Sequence, residues 1–237
     1  MVVSGKKIPS SVTRKKILYQ AAKSFLEVGY KNTRLTDLAS KANINMGSLI
    51  NCYRHKEDIL LDLVEYVLGG QFAVSAEMID AECDEPAFLY MVDTALELHI
   101  AESSENIQDL YVSVYTIAQT ASRIHELMTP RIEQCFARYN PRLRTRDFYQ
   151  MEIGSAALMR GYISAPCDEA MTVHEKVQRF HEATLRMYRV PPGTIRQLMQ
   201  KIAGYDFAAI AEQTVQQMQE RLRVPSENRN SDSNAFE

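Results

Sequence analysis

The chain has 237 residues, a net charge of −3 and 46% apolar residues, so it exceeds one average domain and can bury a sizeable core. Only 9 glycines and 8 prolines occur, and glycine-bounded alternating runs are lacking. Composition therefore speaks against a sandwich or barrel and for an all-α chain.

No apolar run approaches the roughly 20 residues of a membrane span, and the start, MVVSGKKIPSS, has no signal-peptide core. The expectation is a cytoplasmic protein with no membrane partner. The cysteines (Cys52, Cys83, Cys135, Cys167) are far apart, and His99, His125, His174 and His181 lack metal-ligand spacing. They are read as packing thiols and ordinary histidines, with no metal and no cofactor expected.

Residues 1–56 hold eleven Lys and Arg but only two acids, Glu27 and Asp37, a net of +9; the remainder carries −12. A basic head on an acidic body is the distribution expected of a DNA-binding module joined to a second domain.

In chain order, residues 1–11 read as an arm. A helix follows over 12–28, with Ile17, Leu18, Ala21, Ala22, Phe25 and Val28 on one stripe and Gly29 as its stop. Thr33 is expected to cap a short second helix bearing Leu35, Leu38, Ala39 and Ala42. Asn43 sits where a tight turn needs a residue that tolerates positive φ, and Asn45 can cap a third helix running to about Tyr53. A long fourth helix is expected from Glu57 to about Ile79, its first-turn acids Glu57 and Asp58 suiting the helix dipole. Two short helices across a tight turn, packed on a longer first helix, make a helix-turn-helix.

The residues then become more specific. Ile17-Leu18-x-x-Ala21-Ala22-x-x-Phe25, Gly29-Tyr30-x-x-Thr33, Leu38-Ala39-x-x-Ala42-Asn43-Ile44-Asn45-x-Gly47-Ser48-Leu49 and Tyr53-x-x-Lys56-Glu57-Asp58-Ile59-Leu60 resemble the DNA-binding domain of tetracycline-repressor-like (TetR/AcrR) regulators. That stretch covers about a fifth of the chain. It departs from the family's habit at Asn43, where Gly is frequent, and at Ile50 and Cys52, where an aromatic and a Tyr or His are usual.

The resemblance implies a sequence-specific transcription regulator, a repressor by family habit and not an enzyme. It would bind a pseudo-palindromic operator in double-stranded DNA as a homodimer and be released by a small apolar or amphipathic effector. Three parts are expected: 1–56, arm and helix-turn-helix; 57–223, helical dimerisation and ligand-binding domain; 224–237, a polar disordered tail.

The recognition helix would present Asn45, Met46, Gly47, Ser48, Ile50 and Asn51 to the major groove, Asn51 having the geometry to read adenine. Thr33, Arg34, Tyr53 and Lys56 would grip phosphate, with Lys6, Lys7 and Arg14 as arm contacts.

Body helices are expected near 85–102, 106–120, 122–139, 147–164, 172–188, 192–202 and 205–222. The apolar and aromatic residues Phe72, Phe88, Met91, His99, Tyr111, Tyr115, Met128, Met159 and Tyr162 are the candidates for an effector pocket. Gly154, Ala157 and Gly161, facing Phe180, Thr184 and Met187, are the candidates for the dimer interface. An alternative is a helix-turn-helix regulator without a small-molecule ligand, controlled by a protein partner that docks on the amphipathic helix 205–222.

Overall fold

The structure, a computed structural model, describes residues 11–78 and 85–223. Expectations for Lys6, Lys7, Cys83 and the 224–237 tail lie outside the described residues. Among those described there are eleven α-helices, a 3₁₀ turn at Ala137–Tyr139 and no strand.

The head consists of α1 (Ser11–Glu27), α2 (Leu35–Lys41) and α3 (Met46–Cys52). Ile17, Ala21 and Phe25 of α1 pack with Leu38 of α2 and with Leu49, all fully buried, and Phe25 meets Tyr30 edge to face at 5.0 Å. Two conformational signals in the sequence are realised: Gly29 has φ +88° and Asn43 has φ 53°. Around Asn43 the α2 end closes in a Schellman arrangement. The Ile44 N–H donates to Ala39 O and the Asn43 N–H to Ser40 O, both at 3.0 Å, using carbonyls that the helix end would leave unpaired. Asn45 caps α3 by accepting from Ser48 N at 2.8 Å. Thr33 does not cap α2. The N-cap is Arg34, without a side-chain bond, and the buried Thr33 hydroxyl donates back to Gly29 O at 2.9 Å. Satisfying the end of α1 has taken priority over the start of α2.

α4 (Lys56–Met78) leads into the body and packs on α1, α5, α7 and α11. By length and composition it could cross a membrane, with mean hydropathy 1.4 over Lys56–Glu77. The neighbours bury Ile59, Leu60, Leu63, Val64 and Leu68, and 39% of that window is buried in all.

The body continues with α5 (Pro86–Ala101), α6 (Glu105–Thr116), α7 (Ala118–Phe136), α8 (Thr145–Ser164), α9 (Val173–Met187), α10 (Pro192–Ile202) and α11 (Phe207–Leu222). α5 is buried nearly all round because α4, α7, α9 and α11 surround it. An aromatic cluster joins three of these layers, with Tyr90 of α5 edge-on to Phe136 at 5.1 Å and to Tyr188 at 5.6 Å. The break expected near residue 121 falls instead at Ile117, which is extended (φ −71°, ψ 121°). The Thr120 hydroxyl reaches back to Val114 O at 2.6 Å and fixes the corner, and α7 then runs through Pro130.

α11 returns to the head. Phe207, Ala211, Thr214, Met218 and Leu222 form its buried stripe against α5, α4 and α1. The Tyr66 hydroxyl of α4 donates to Met218 O at 3.0 Å. Gly70 leaves room for the Met218 methyl, since a Cβ there would lie 2.7 Å from it.

Candidate nucleic-acid interface

On α3 and its cap, Asn45, Gly47, Ile50 and Asn51 are exposed, Met46 and Ser48 are half-buried, and only Leu49 turns fully inward. Ile50, 46% exposed, is one of the few large apolar side chains left open to solvent. Arg34 at the start of α2 is exposed, and so is Arg54 just after α3; neither guanidinium has an intramolecular partner among the described residues. Arg54 was not singled out by sequence reasoning, although its sign and its place directly after the recognition helix were readable.

Four expected phosphate contacts are committed elsewhere. Thr33 is 5% exposed and bonded to Gly29. Tyr53 is 1% exposed, and its hydroxyl donates to Asp62 at 2.7 Å. Burial first, then the Asp62 hydrogen bond, holds its phenol well above the ordinary range. Arg14 forms a two-pronged pair with Asp62 at 2.8 and 2.9 Å and lies over the Tyr53 ring at 4.9 Å. Lys56 turns its ammonium to the carbonyls of Tyr30 (2.6 Å) and Thr33 (3.1 Å). These side chains fasten the α1–α2 link and α3 to the start of α4, and so set the attitude of the recognition helix. The spacing of basic residues in sequence does not separate such fasteners from DNA contacts.

Among the candidate effector residues, Phe88, Met91 and Met159 are core, each at most 2% exposed, and none of them, nor Phe72, Tyr115, Met128 or Tyr162, lines a described recess. Phe88 is occupied by Tyr205 and Lys201, at 5.8 and 4.7 Å. Tyr111 does line two adjoining apolar recesses of about 90 and about 60 Å³, which share Leu63, Val67 and Leu110. The larger is bounded by Ala22 and Leu26 of α1, by α4 and by α11. The smaller, beneath α4, has Gln71 and Glu97 among its lining residues, but the surface they turn to it is apolar. Gln71 Nε2 donates to the Tyr111 hydroxyl at 3.1 Å, and Tyr115 donates to Glu97 Oε1 at 2.5 Å. Burial pushes the Glu97 carboxyl up to about 7 against the pull of Tyr115, helped by Glu152 and Asp93. Sequence reasoning passed over Gln71 and Glu97, although an acid inside the run ALELHIA is a readable anomaly. His99 belongs to a separate open groove of about 600 Å³ between the end of α5 and α11.

Two of the six interface candidates are used within the chain. Phe180 is 1% exposed against Tyr90 and Tyr162, and Thr184 is fully buried with its hydroxyl on Phe180 O. Amphipathic spacing cannot distinguish a partner helix in the same chain from one in a second copy. Ala157, Gly161 and Ile153 lie exposed on α8, and Gly154 approaches Met187 of α9, where a Cβ would lie 3.4 Å from its sulfur.

Most of this arrangement is shared with solved structures. It matches RolR, crystallised with resorcinol, with a TM-score of 0.63 and 17% identity over 79% of this chain and 93% of that one. It also matches SmeT, the repressor of the Stenotrophomonas maltophilia multidrug efflux pump SmeDEF, with a TM-score of 0.52 and 17% identity over 73% and 88%. The chain carries the tetracycline-repressor-like fold. No family model and no curated protein matches the sequence.

Within the tetracycline-repressor-like fold, head and body meet at three described places besides α4. Asn106, at the start of α6, donates to Leu26 O near the end of α1 at 2.9 Å, and Lys31 pairs with Asp109 at 3.0 Å. α11 supplies the third contact, against α1.

Proposed function

We propose that the chain is a cytoplasmic, non-enzymatic one-component transcription regulator that binds a pseudo-palindromic operator as a homodimer and is released by a small organic effector. The observation that carries this reading is the exposed row Asn45, Gly47, Ile50 and Asn51, flanked by the unpaired guanidinium groups of Arg34 and Arg54 on a tetracycline-repressor-like head. Polar side chains on an exposed helix read base edges, and the flanking cations add salt-dependent grip on phosphate.

The partner copy is assigned to the α8–α9 face containing Ile153, Ala157, Gly161 and Met187. Two heads so held would read half-sites about 34–36 Å apart or a multiple of that. The effector is assigned to the recesses between α1, α4, α5, α6, α7 and α11. A ligand that prefers one spacing of the heads changes operator affinity by its differential binding, about 1–3 kcal/mol in such systems. SmeT being a repressor, and RolR holding resorcinol, favours repression and a small effector here. Control by a protein docked on α11 is the weaker reading, because the apolar stripe of α11 is already spent on α5, α4 and α1.

Selection of bound duplexes from a random pool tests the reading. A recovered inverted repeat, with sedimentation showing a dimer, is the expected result. Failure to shift any duplex in low salt would refute it.

A further inference from the structure

Three recesses adjoin along the seat of the head. The outermost, about 250 Å³, opens between α1 and the end of α11. It shares Ala22, Leu26, Gln219 and Leu222 with the apolar recess of about 90 Å³. That recess in turn shares Leu63, Val67, Leu110 and Tyr111 with the one of about 60 Å³ beneath α4. Polarity falls along the row. The outer recess is rimmed by Lys23, Glu27, Glu220 and Arg223, two cations against two acids, so it is polar without net charge. The inner two present almost no polar surface. Walls without hydrogen-bonding groups give water no partner and favour hydrocarbon. Size then selects the shape. At about 90 and about 60 Å³, each inner recess is smaller than the roughly 150 Å³ that accepts benzene. A ring fits neither, whereas a flexible chain can occupy both in succession.

Resting on the effector-site reading above, we propose that this row of recesses takes a straight-chain aliphatic amphiphile with an uncharged polar head such as a hydroxyl. The chain lies along Leu26, Leu63 and Met218. The head stays at the mouth beside Lys23 and Glu27, which pair with each other at 3.7 Å. A charged head would meet no net opposite charge there. The walls couple the occupant to the head domain. Leu26 O accepts from Asn106 of α6, and Met218 O accepts from Tyr66 of α4. The chain therefore touches both residues whose carbonyls fasten α1 to α6 and α11 to α4. It bears on α1 and α11 together, where head and body meet.

Calorimetric titration of the full-length protein without DNA tests this, using 1-pentanol, 1-heptanol, 1-adamantylmethanol, heptanoate and heptylammonium. Each added methylene should tighten binding about fourfold, so 1-heptanol should bind about fifteenfold more tightly than 1-pentanol. 1-Adamantylmethanol, richer in apolar surface but globular, should give no heat. Heptanoate and heptylammonium should bind no more tightly than 1-heptanol. With methionine methyl groups labelled for NMR, 1-heptanol should shift the Met218 signal, which Met218→Leu identifies by its absence. Val67→Phe, at the junction of the two inner recesses, should weaken 1-heptanol at least tenfold. If it does not fold, Ala22→Leu, at the junction with the mouth, takes its place; if neither folds, the wild-type series and the Met218 signal decide. Equal binding of pentanol and heptanol, a globular alcohol as tight as heptanol, a charged head tenfold tighter, wild-type affinity in a folded variant, an unmoved Met218 signal, or no binding by any probe overturns the proposal, whether or not the protein shifts DNA. Site-specific 1-heptanol binding by a protein that shifts no duplex would instead overturn the regulator reading and leave this one standing.

Discussion

The Lys56 ammonium lies 2.6 Å from the carbonyl oxygen of Tyr30 and 4.3 Å from the centre of that residue's ring. One side chain thus ties the first turn of α4 to the link between α1 and α2. Replacing it by methionine keeps the stem and deletes the charged donor. We expect Lys56→Met to lower unfolding stability by about 1–3 kcal/mol in urea titrations. The salt slope of DNA binding should stay at the wild-type value, because this cation is not spent on phosphate. A slope reduced by about one would return Lys56 to the DNA contacts.

If the head binds DNA as proposed, base reading and phosphate grip are separable on it. Asn51→Ala should cost about 1–3 kcal/mol on the selected operator and almost nothing on random duplex. Arg54→Ala should weaken both equally and reduce the salt slope by about one. Mobility-shift titrations at four salt concentrations distinguish the two patterns.

The α8 face gives a test of assembly that spares the monomer fold. Ala157 is exposed, so a longer charged side chain is accommodated in the single chain. Ala157→Arg should yield a folded monomer by sedimentation and lose cooperative operator binding. A dimer unchanged at micromolar concentration would move the interface elsewhere.

Glu97 also predicts how stability follows pH. Its folded value, about 7, is raised above the ordinary 4.5 by burial. The folded state therefore holds a proton that the unfolded chain has released, and this contribution is fully present below pH 4.5. It is lost as pH rises toward 7, at up to about 1.4 kcal/mol per pH unit. Glu152, raised to about 8 by burial, acts in the same direction to a higher pH. Chemical unfolding at pH 5, 6, 7 and 8 should show the decline, and Glu97→Gln should flatten the part below 7.

Much of the head was readable because its signals are local. Gly29, Asn43 and Asn45 each fill a backbone role that few residue types can fill, and the structure uses them so. Thr33 misled because a threonine before a helix has two competing uses, and here its hydroxyl turned back to Gly29. The body was readable as helices but not as contacts. The stripe on α9 that buries Phe180 and Thr184 against its own chain has the same period that a dimer contact would have. Nor does periodicity reveal that Glu97 meets Tyr115 while Glu152 meets His125, since both are acids inside helices.

α11 packs on α1, and its Met218 accepts a hydrogen bond from a residue 152 positions earlier. During synthesis the helix-turn-helix leaves the ribosome long before the segment that seats it. The head can fold early on α4 and α6, and the α11 contact that completes its seat is made last.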